Sequence, residues 1–455
     1  MYLESWIHRT IKEAFEKDAE YRRFAEKSTL GHITRSDIET YQAFRLRRML
    51  RYCREKSTFY RDMMQMVPVA PEDIHNSGDL ARLPFTEPYH LAESPYRFLC
   101  VSQAEIARPY TFVTTGTTGP KKKVFWTQGD IDLITDFMAA GIGTVADSGD
   151  VVLILLPDGR PNSQAHLLYK GVEQLGATPV MADPDLRAEE LLKIIQDCHC
   201  SVIFGYTRKL FRLTKELQSQ HDLRACGVRI LFLASEYLPK AMRQELQQAW
   251  QCSVRTHYGL TEMGLGVAVE CEAGDGYHFN EADLFLEVIN PQTGKIAPAG
   301  EEGELVFTTL TRQGMPLLRY RTHDLSRVIT EPCPCGATSL LKIDQVKKRL
   351  ETITVIGDGD EMYPALFDDV LFDIPAVMDY QVIVTREEGK DRLEFKVELV
   401  SEAKEISEIS QKLSATPVIA KNVAAGKMAP PGVELTAPGA LQTVSRTKKM
   451  ILDRR

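Results

Sequence analysis

Residues 110–123 read Tyr-Thr-Phe-Val-Thr-Thr-Gly-Thr-Thr-Gly-Pro-Lys-Lys-Lys, a β-prone run that leads into a loop rich in glycine, threonine and lysine. Gly116 and Gly119 permit backbone conformations that other residues avoid, so successive amide groups can turn toward one bound anion. The threonine hydroxyls add uncharged donors, and Lys121 to Lys123 supply positive potential. The spacing departs from the Walker phosphate loop because no Gly-Lys-Ser/Thr follows. Taken alone, the loop therefore fits a polyphosphate site and an ordinary hairpin about equally well.

The composition of the chain excludes several classes of protein. With 455 residues, 26% of them charged and 44% hydrophobic, the sequence predicts a soluble globular protein of about two to four domains. Its net charge of -8 argues against nucleic acid as the main partner. No apolar run reaches the length of a membrane span, and the charged, helix-patterned residues 1–17 do not resemble a secretory signal. We therefore expect a cytoplasmic protein whose nine scattered cysteines are reduced thiols or metal ligands.

The order of apolar patterns predicts an α/β fold with a mostly parallel sheet. Residues 1–65 carry apolar residues at helical spacing, and from residue 97 onward short β-rich runs alternate with amphipathic helices. This alternation is typical of βα units, whose ligands bind beyond the carboxyl ends of the strands. The loop at 114–123 and Tyr258-Gly259 fall at such ends. The β-rich runs are Val151 to Leu156, Ser201 to Phe204, Ile230 to Ala234 and Ser253 to His257, and the helices include Leu186 to Asp197 and Lys240 to Trp250.

The pattern changes after residue 283. Alternating residues at Leu284 to Ile289 and Glu304 to Thr309 predict hairpins. Strands near Tyr380 to Val384 and Leu393 to Leu399, flanked by helical stretches, predict a small α+β domain at the C-terminal end.

Two segments concentrate polar side chains that a packed core does not need. In His257-Tyr258-Gly259-Leu260-Thr261-Glu262, Tyr258 could stack on a base and Glu262 could hold a magnesium ion that bridges phosphates. In Arg319-Tyr320-Arg321-Thr322-His323-Asp324, Asp324 could accept both hydroxyls of a ribose. An exposed strand end and a salt-bridged loop are the respective alternatives.

A set of cysteines and a histidine predicts a metal site. Cys271 is followed by His278 and, much later, by Cys333 and Cys335. Thiolates and imidazole suit Zn²⁺, and four ligands that leave no open coordination position make a structural site. The alternative is reduced thiols near a hairpin. Cys198-His199-Cys200 is a rival cluster, but adjacent residues of an extended chain point to opposite faces.

Together these segments resemble the adenylate-forming enzymes of the acyl-CoA synthetase superfamily, and most closely its phenylacetate-CoA ligase-like branch. Leu83-Pro84-Phe85-Thr86 and Gly303 to Leu310 match the branch, and all the matches follow the family order over nearly the whole N-terminal part of the chain. Thr115 to Lys121 resemble the family's Ser-Gly-Thr-Thr-Gly-x-Pro-Lys loop, Tyr258 to Glu262 its Tyr-Gly-x-Ser/Thr-Glu motif, and Arg319 to Leu325 its Arg-Tyr-Arg-Thr-x-Asp-Leu stretch.

The resemblance implies a two-domain α/β protein. Residues 1–348 would form a large N-terminal adenylate-forming (AMP-binding) domain, built of mostly parallel sheets with helices and a small β subdomain. Residues 349–455 would form a small, mobile α+β C-terminal lid domain. The lid would rotate about a hinge near Glu351, which matches the family's hinge acid.

The resemblance also implies a two-step reaction. A carboxylic acid and ATP, with Mg²⁺, first give an acyl-adenylate and pyrophosphate, and the thiol of CoA then displaces AMP. The first step needs charge neutralisation on the phosphates and a carboxylate held in line with the α-phosphorus. The implied enzyme is an AMP-forming acid–thiol ligase whose partners are these small molecules, without nucleic acid or a membrane span. A homodimer is left open.

The matched positions imply a nucleotide-binding set. Tyr258 would cover adenine, with Ser235 and Glu236 near its other edge. Asp324 would hold the ribose with the help of Arg349. The full set is Thr115, Gly116, Thr117, Thr118, Gly119, Lys121, Ser235, Glu236, His257, Tyr258, Gly259, Asp324 and Arg349.

The implied catalytic set comprises Thr261, Glu262 with Mg²⁺, and a lysine near the C-terminus. Aligning residues 445–449 with the family's Thr-x-Ser-Gly-Lys places Lys449 at the catalytic position, whereas counting back from Asp453-Arg454-Arg455 favours Lys448 or an earlier residue. The family's glycine is absent there. Read without the resemblance, this segment is a solvated basic patch.

In this branch, the segment that matches Pro157 to His166 reaches the acyl group, so its composition bears on the identity of the acyl substrate. The segment is polar, and unpaired polar groups are costly to bury, so we expect neither a purely apolar aryl pocket nor phenylacetate itself. A substrate with its own hydroxyl, amide or second acidic group would use Arg160, Asn162 or Arg208. The alternative is that part of the segment faces solvent.

Two other functions stay open from the sequence. One keeps the adenylation step but transfers the acyl group to a carrier-protein thiol or to a hydroxyl. The other is a nucleotide-binding paralogue without thioester chemistry, which the missing glycine before the C-terminal lysine suggests.

Overall fold

The computed structural model describes residues 1–67, 69–74, 77–112, 121–157, 159–400, 406–441 and 451–455. Over these residues, no helix combines the length and the apolarity of a membrane span. Two compact units are present. The first is Met1–Asp150, Asp158–Met181 and His257–Gln345, and the second is Val151–Pro157, Ala182–Thr256 and Val346–Arg455. The predicted domain boundary between residues 348 and 349 stays a prediction, because these units are defined by contacts alone.

The first unit begins with helices, as the periodicity of residues 1–65 predicts. The helix Arg35–Lys56 begins where the Thr34 hydroxyl accepts a hydrogen bond from the Asp37 N–H, and the Asp37 carboxylate accepts one from the Thr34 N–H. Its buried residues recur at helical spacing, which turns one face toward the core. The α-helices of this unit are Tyr2–Lys17, Ala19–Phe24, Arg35–Lys56, Thr58–Gln65, Ser77–Leu80, Pro88–Glu93, Gln128–Ile142 and Gln164–Leu175.

The start of the helix Gln128–Ile142 ties distant parts of the first unit together. The Thr127 hydroxyl accepts a hydrogen bond from the Asp130 N–H and so caps the helix. The buried Asp130 carboxylate accepts hydrogen bonds from the backbone N–H groups of Thr127 (3.0 Å), Gln313 (2.7 Å) and Gly314 (2.9 Å). One side chain therefore satisfies three backbone donors from two distant parts of the sequence.

Most strands of the first unit pair antiparallel, and the pairing of Leu284–Ile289 with Gly303–Thr309 confirms the predicted hairpin. A meander contains Leu284–Ile289, Gly303–Thr309 and Tyr320–Ser326 in that order. A second run pairs Ala268–Glu270, Tyr277–Phe279, Lys342–Ile343 and Val328–Ile329 in that order. Ile106–Phe112 pairs with Lys122–Thr127, and Thr178–Met181 is a further strand.

The second unit holds the parallel sheet that the sequence predicts. Its strands lie in the order Ser253–Tyr258, Ile230–Ala234, Val202–Tyr206 and Val151–Leu155, and Ser253–Tyr258 ends in the first unit. Nearly all of Val202–Tyr206 and Ile230–Ala234 is buried, as expected of strands covered on both faces. The accompanying helices are Ala188–Asp197, Thr207–Leu217 and Lys240–Trp250. Because neighbouring parallel strands end at the same edge, the residues that follow Tyr206 and Ala234 lie close together.

The C-terminal part of the second unit is the predicted α+β structure. Its sheet has the order Gly432–Thr436, Lys390–Leu399, Val377–Glu387 and Ile451–Asp453. Glu388 and Gly389 join the two long strands with φ angles of 48° and 78°, the left-handed conformation that a two-residue type I′ hairpin loop requires. The helices are Pro364–Leu371, Ile406–Ser414 and Pro417–Ala424, and the shorter strands are Lys348–Arg349, Thr354–Ile356 and Asp360–Met362.

Candidate active site

Glu262, the predicted magnesium ligand, shares a buried polar cluster with Lys122 and Tyr320 in the first unit. The Lys122 ammonium Nζ lies 2.5 Å from Glu262 Oε1, and the Tyr320 hydroxyl donates a hydrogen bond of 2.6 Å to the same oxygen. Lys122 Nζ also donates to the Tyr320 hydroxyl at 3.0 Å. The side chains of Lys122 and Glu262 are each 6% exposed, so water screens this ion pair little.

The cluster keeps the Glu262 carboxyl ionised. Burial alone raises the pKa of this carboxyl, because a charged group is less stable away from water. The charge of Lys122 and the hydrogen bonds from Lys122 and Tyr320 outweigh burial, so the pKa lies below its ordinary value. Glu262 is therefore a buried anion that is held by one cation and one hydroxyl.

Lys122 was not among the predicted site residues. Lys121, which was, is exposed and precedes the strand Lys122–Thr127, whereas Lys122 is its first residue and is buried. A signal in the sequence did exist. The family loop Gly-x-Pro-Lys has its lysine three residues after the glycine, and counting without a gap from Gly119 leads to Lys122.

Tyr258 and Asp324 form a second buried pair in the same unit. The Tyr258 hydroxyl donates a hydrogen bond of 2.6 Å to Asp324 Oδ2, and the Thr322 hydroxyl accepts one of 3.0 Å from the Asp324 N–H. The strand ending at Tyr258 turns sharply at Gly259, where a Cβ atom would lie 2.1 Å from the carbonyl oxygen of Leu265. Glycine at this position therefore lets the chain place Tyr258 beside Asp324.

His257 and Thr261 lie on either side of Tyr258 in the sequence. Burial lowers the pKa of His257 to about 4, so its ring is neutral near pH 7. Thr261 is half-buried and begins the short 3-10 helix Thr261–Met263, which carries Glu262. Neither His257 nor Thr261 has a charged form at neutral pH, so the charge of this segment resides on Glu262.

The four predicted zinc ligands come together in the first unit. Their ligand atoms all lie within 4.8 Å of one another. Cys271 Sγ is 3.5 Å from Cys333 Sγ, and Cys335 Sγ is 3.5 Å from His278 Nε2. The antiparallel pairing of Lys342 with His278 brings the two halves of the set together across the long gap in sequence.

The orientation of the His278 ring suits a metal ligand. Its Nδ1 lies 3.1 Å from the Leu341 carbonyl oxygen, which can only accept a hydrogen bond, so the proton resides on Nδ1. Nε2 then presents its lone pair toward the three cysteines. Burial also lowers the pKa of His278, which favours the neutral ring that binds metal.

Ser235, Glu236 and Arg349 lie in the second unit. Ser235 has a φ angle of 78° directly after the strand Ile230–Ala234 and is exposed. Glu236 Oε2 lies 2.7 Å from Arg208 Nε. Arg349 ends the short strand Lys348–Arg349, and its carbonyl oxygen accepts a hydrogen bond from the Thr352 hydroxyl.

Several predicted positions lie outside the described residues. They are Thr115, Gly116, Thr117, Thr118 and Gly119 of the glycine-rich loop and the two C-terminal lysines, Lys448 and Lys449.

The polar segment at 157–166 has a local structural explanation. The Ser163 hydroxyl accepts a hydrogen bond from the His166 N–H and caps the helix Gln164–Leu175. His166 Nδ1 accepts a hydrogen bond of 2.8 Å from the Asn162 N–H, and Asn162 adopts a φ angle of 58°. Arg160 is exposed. The Ser163 and His166 side chains therefore serve the start of a helix.

This chain is similar to known proteins over most of its length. The family model described as AMP-binding enzyme matches residues 39–311, and the model described as AMP-binding enzyme C-terminal domain matches residues 359–455. The phenylacetate-coenzyme A ligase of Thermus thermophilus is 31% identical over 81% of this chain and 83% of its own length. That of Aromatoleum evansii is 29% identical over 93% and 96%.

Solved structures share the fold. A 2-hydroxyisobutyryl-CoA ligase in the postadenylation state, in complex with 2-HIB-AMP, matches with a TM-score of 0.79 at 21% identity, over 92% of this chain and 90% of that one. An anthranilate CoA ligase in complex with anthranoyl-AMP matches with a TM-score of 0.53 at 19% identity, over 74% and 64%. At these identities the likeness concerns the fold, a large N-terminal domain with a small C-terminal one.

Proposed function

This chain belongs to the AMP-binding enzyme family, in its phenylacetate-CoA ligase-like branch, and we propose that it is an ATP-dependent acid–thiol ligase. A carboxylate oxygen attacks the α-phosphorus of ATP, and pyrophosphate leaves as the acyl-adenylate forms. The thiol of CoA then attacks the acyl carbon, and AMP leaves with the release of the thiol proton. The observation that carries this proposal is the buried, ionised Glu262 beside Lys122 and Tyr320.

The Glu262 cluster fits the charge problem of the first half-reaction. ATP brings several negative charges into the site, and the reaction needs cations near the phosphates. Glu262 offers an ionised oxygen ligand, which is the donor type that Mg²⁺ prefers, and bound Mg²⁺ would neutralise phosphate charge there. Lys122 and Tyr320 hold that carboxylate in one place, so its orientation is set before the nucleotide binds.

Tyr258 and Asp324 fit the nucleoside part of ATP. The buried Asp324 is an acceptor for ribose hydroxyls, and the hydrogen bond from Tyr258 holds both side chains in a fixed relation. The Tyr258 ring would cover adenine, while Ser235 and Glu236 would lie near its other edge. Arg349 would assist at the ribose.

The remaining predicted parts are proposals of the same kind. Residues 349–455 would form the mobile lid, which carries Lys448 or Lys449 to the bond between the acyl group and the α-phosphate. CoA is the proposed acceptor, because the curated relatives that match most of this chain are named as CoA ligases. The cysteines, all nine free in this structure, support the expected reducing, cytoplasmic location.

The substrate proposed here is a monocarboxylic acid. Arg208 was one of the residues that a second acidic group would need, and its guanidinium already contacts three carboxylates. The Ser163 hydroxyl and the His166 ring accept hydrogen bonds from the backbone N–H groups of His166 and Asn162 at a helix start. The side chains of Arg160, which is exposed, and Asn162 favour a polar substituent on the acid.

A structural Zn²⁺ site is the second element of the proposal. Three thiols and one imidazole give the tetrahedral set of a closed site, with His278 oriented by Leu341. The ion would hold the turn that contains Cys333 and Cys335 against the strand Tyr277–Phe279. It would have no part in the chemistry, because all four positions are filled by protein.

The test of the function is ATP–pyrophosphate exchange with a panel of monocarboxylic acids. An acid that supports exchange should also give a CoA thioester when CoA is added, as measured by mass spectrometry. Exchange without thioester would move the acceptor to a carrier-protein thiol or a hydroxyl. The absence of exchange across a broad panel would contradict the proposal and favour the paralogue without chemistry. Light scattering on the same preparation tests for a homodimer.

A further inference from the structure

Arg208 joins two distant parts of the sequence within the second unit. It is the second residue of the helix Thr207–Leu217, at the carboxyl edge of the parallel sheet. Its Nε lies 2.7 Å from Glu236 Oε2, its Nη1 2.7 Å from Asp379 Oδ1 and its Nη2 3.0 Å from Asp368 Oδ1. Each nitrogen of the guanidinium therefore faces a different carboxylate.

Arg208 donates hydrogen bonds to Asp379 and Asp368, while its contact with Glu236 is an ion pair. Its side chain is 18% exposed, and the rigid fork of a guanidinium limits the positions that its partners can take. The Tyr380 hydroxyl donates a hydrogen bond of 2.6 Å to Asp368 Oδ1 and fixes that carboxylate. One turn further along the helix, Arg212 Nη1 lies 2.6 Å from Glu398 Oε1, which repeats the connection to the C-terminal sheet.

Tyr237 makes a second, direct connection to the same region. Its hydroxyl lies 3.0 Å and 3.2 Å from the two carboxylate oxygens of Asp369, in the helix Pro364–Leu371. Asp368, the partner of Arg208, is the preceding residue of that helix. The segment Ser235–Tyr237 therefore reaches one helix by two routes, through Glu236 with Arg208 and through Tyr237.

We propose that Arg208 is a positioning residue that couples the nucleotide pocket to the attachment of the C-terminal lid region. The proposal rests on the proposed function, because Ser235 and Glu236 are expected at the adenine edge. A nucleotide that hydrogen-bonds to Glu236 competes with Arg208 for that carboxylate. Arg208 is then shared between Asp368 and Asp379 alone, without the competing charge of Glu236, and the helix Pro364–Leu371 is held more firmly.

The coupling must act in both directions. If nucleotide binding strengthens the attachment of the helix Pro364–Leu371, then strengthening that attachment must raise nucleotide affinity by the same factor. Arg208 would thus link a binding event at one end of the sheet to the freedom of the lid to move. Lys209, the next residue, points elsewhere and pairs with Asp185, so it serves as a matched control on the same helix.

The first test needs no ligand. Hydrogen–deuterium exchange of the amides in Pro364–Leu371 is compared for the wild type, Arg208→Gln and Lys209→Gln. Loss of Arg208 leaves buried carboxylates without their cation, so exchange of this helix should rise about tenfold or more, while Lys209→Gln leaves it unchanged. Equal protection of these amides in all three proteins would show that Arg208 does not hold the helix Pro364–Leu371 in place.

The second test uses AMP, with its affinity measured by calorimetry in each protein. In the wild type, saturating AMP should lower the exchange of Pro364–Leu371 several-fold, and Arg208→Gln should bind AMP but lose that response. A response that persists in Arg208→Gln, or that is absent from a wild type that binds AMP, would overturn the coupling. Failure of every protein to bind AMP would instead contradict the proposed function and, with it, the coupling, while the ligand-free result would still judge the attachment.

Two milder variants test the proposal even if Arg208→Gln fails to fold. Asp379→Asn removes the charge of one of the three partners and keeps its volume, and Tyr237→Phe removes the direct bond to Asp369. Each should raise the exchange of Pro364–Leu371 by a smaller factor than Arg208→Gln. If both leave the exchange of that helix and its response to AMP unchanged, the coupling is wrong.

Discussion

The Lys122 ammonium lies 2.5 Å from Glu262 Oε1 in a part of the first unit that water scarcely reaches. Lys122 opens one strand and Glu262 lies in a 3-10 helix 140 residues later, so the fold must form before the two charges meet. Because the two charges neutralise each other, the Glu262 carboxylate can stay ionised in a buried site when no nucleotide is bound. The Tyr320 hydroxyl accepts a hydrogen bond from Lys122 and donates one to Glu262, which fixes the positions of the two charged side chains.

Replacing Glu262 by glutamine should abolish most of the first half-reaction. Glutamine keeps the volume of the side chain but loses the charge that would hold Mg²⁺, so ATP–pyrophosphate exchange should fall by about 10²-fold or more. Glu13→Gln makes the same chemical change at an exposed carboxylate of the helix Tyr2–Lys17 and should retain exchange close to the wild type. Equal rates for Glu262→Gln and Glu13→Gln would exclude a role for Glu262 in adenylation.

Replacing Lys122 by methionine should change the dependence of stability on pH. In the wild type the pKa of Glu262 lies below its ordinary value of 4.5, so its ionised form stabilises the fold above that value and the gain is lost at lower pH. Without the ammonium, burial raises this pKa, and the ionised carboxylate destabilises the variant near pH 7 by about 3–5 kcal/mol.

The measurement is urea unfolding of both proteins at pH 7 and at pH 5. The difference in unfolding free energy between wild type and Lys122→Met should shrink as the pH falls, because the variant gains stability when Glu262 takes up a proton. A difference that stays constant would show that Glu262 is not the group responsible.

Asp324→Asn should weaken nucleotide binding more than Tyr258→Phe does. The first change removes a charged acceptor for ribose hydroxyls, so the Kd for AMP should rise by about tenfold or more. The second removes the hydroxyl that donates to Asp324 and keeps the aromatic ring, so a smaller increase is expected. Calorimetric titration with AMP checks both, and unchanged affinity in Asp324→Asn would remove Asp324 from the ribose site.

Removal of zinc should destabilise the first unit without a direct effect on chemistry. Elemental analysis should find one Zn²⁺ per chain, and Cys335→Ser should lose the ion and lower the Tm by several degrees. Cys226→Ser, which alters a cysteine outside the four-ligand set, should keep both. A protein free of zinc after growth in zinc-supplemented medium would contradict the site.

Lys448→Ala and Lys449→Ala should separate the two candidate lysines. One of them should lower ATP–pyrophosphate exchange by about 10²-fold, the scale expected when a charge that stabilises the transition state is removed. The other should retain most of the exchange and serve as the control. If neither variant loses activity, the C-terminal lysine lies elsewhere in the sequence.

The parts of the fold that could be predicted are those that short-range patterns determine. The strand Ile230–Ala234 and the helix Lys240–Trp250 have the predicted bounds, because a buried β-rich run and an amphipathic helix leave local signatures. Most other strands differ from prediction by one to three residues at their ends. The cluster of three cysteines and one histidine could be predicted because Cys-x-Cys is a local motif, although its assembly depends on strand pairing, and zinc itself stays a prediction.

The parts of the site that were missed depend on contacts between remote residues. Lys122 was overlooked because the loop was aligned through its proline, and burial at the start of a strand leaves little trace in sequence. Arg208 was assigned to the substrate, but its partners Asp368 and Asp379 lie 160 and 171 residues away. The polarity of residues 157–166 was attributed to a ligand, although Ser163 and His166 use it to begin a helix.

The hydrogen bonds that Asp130 accepts from three backbone amides can all form only after residue 314 has been synthesised. Asp130 reaches Gln313 and Gly314, and the first unit also draws on residues as late as Gln345, so its N-terminal helices leave the ribosome long before their partners exist. At about 5–20 residues per second, the stretch from 130 to 314 takes roughly 10–40 s to translate. For that time the parts of those helices that pack on the later residues lack their partners, and we expect chaperones to bind the nascent chain.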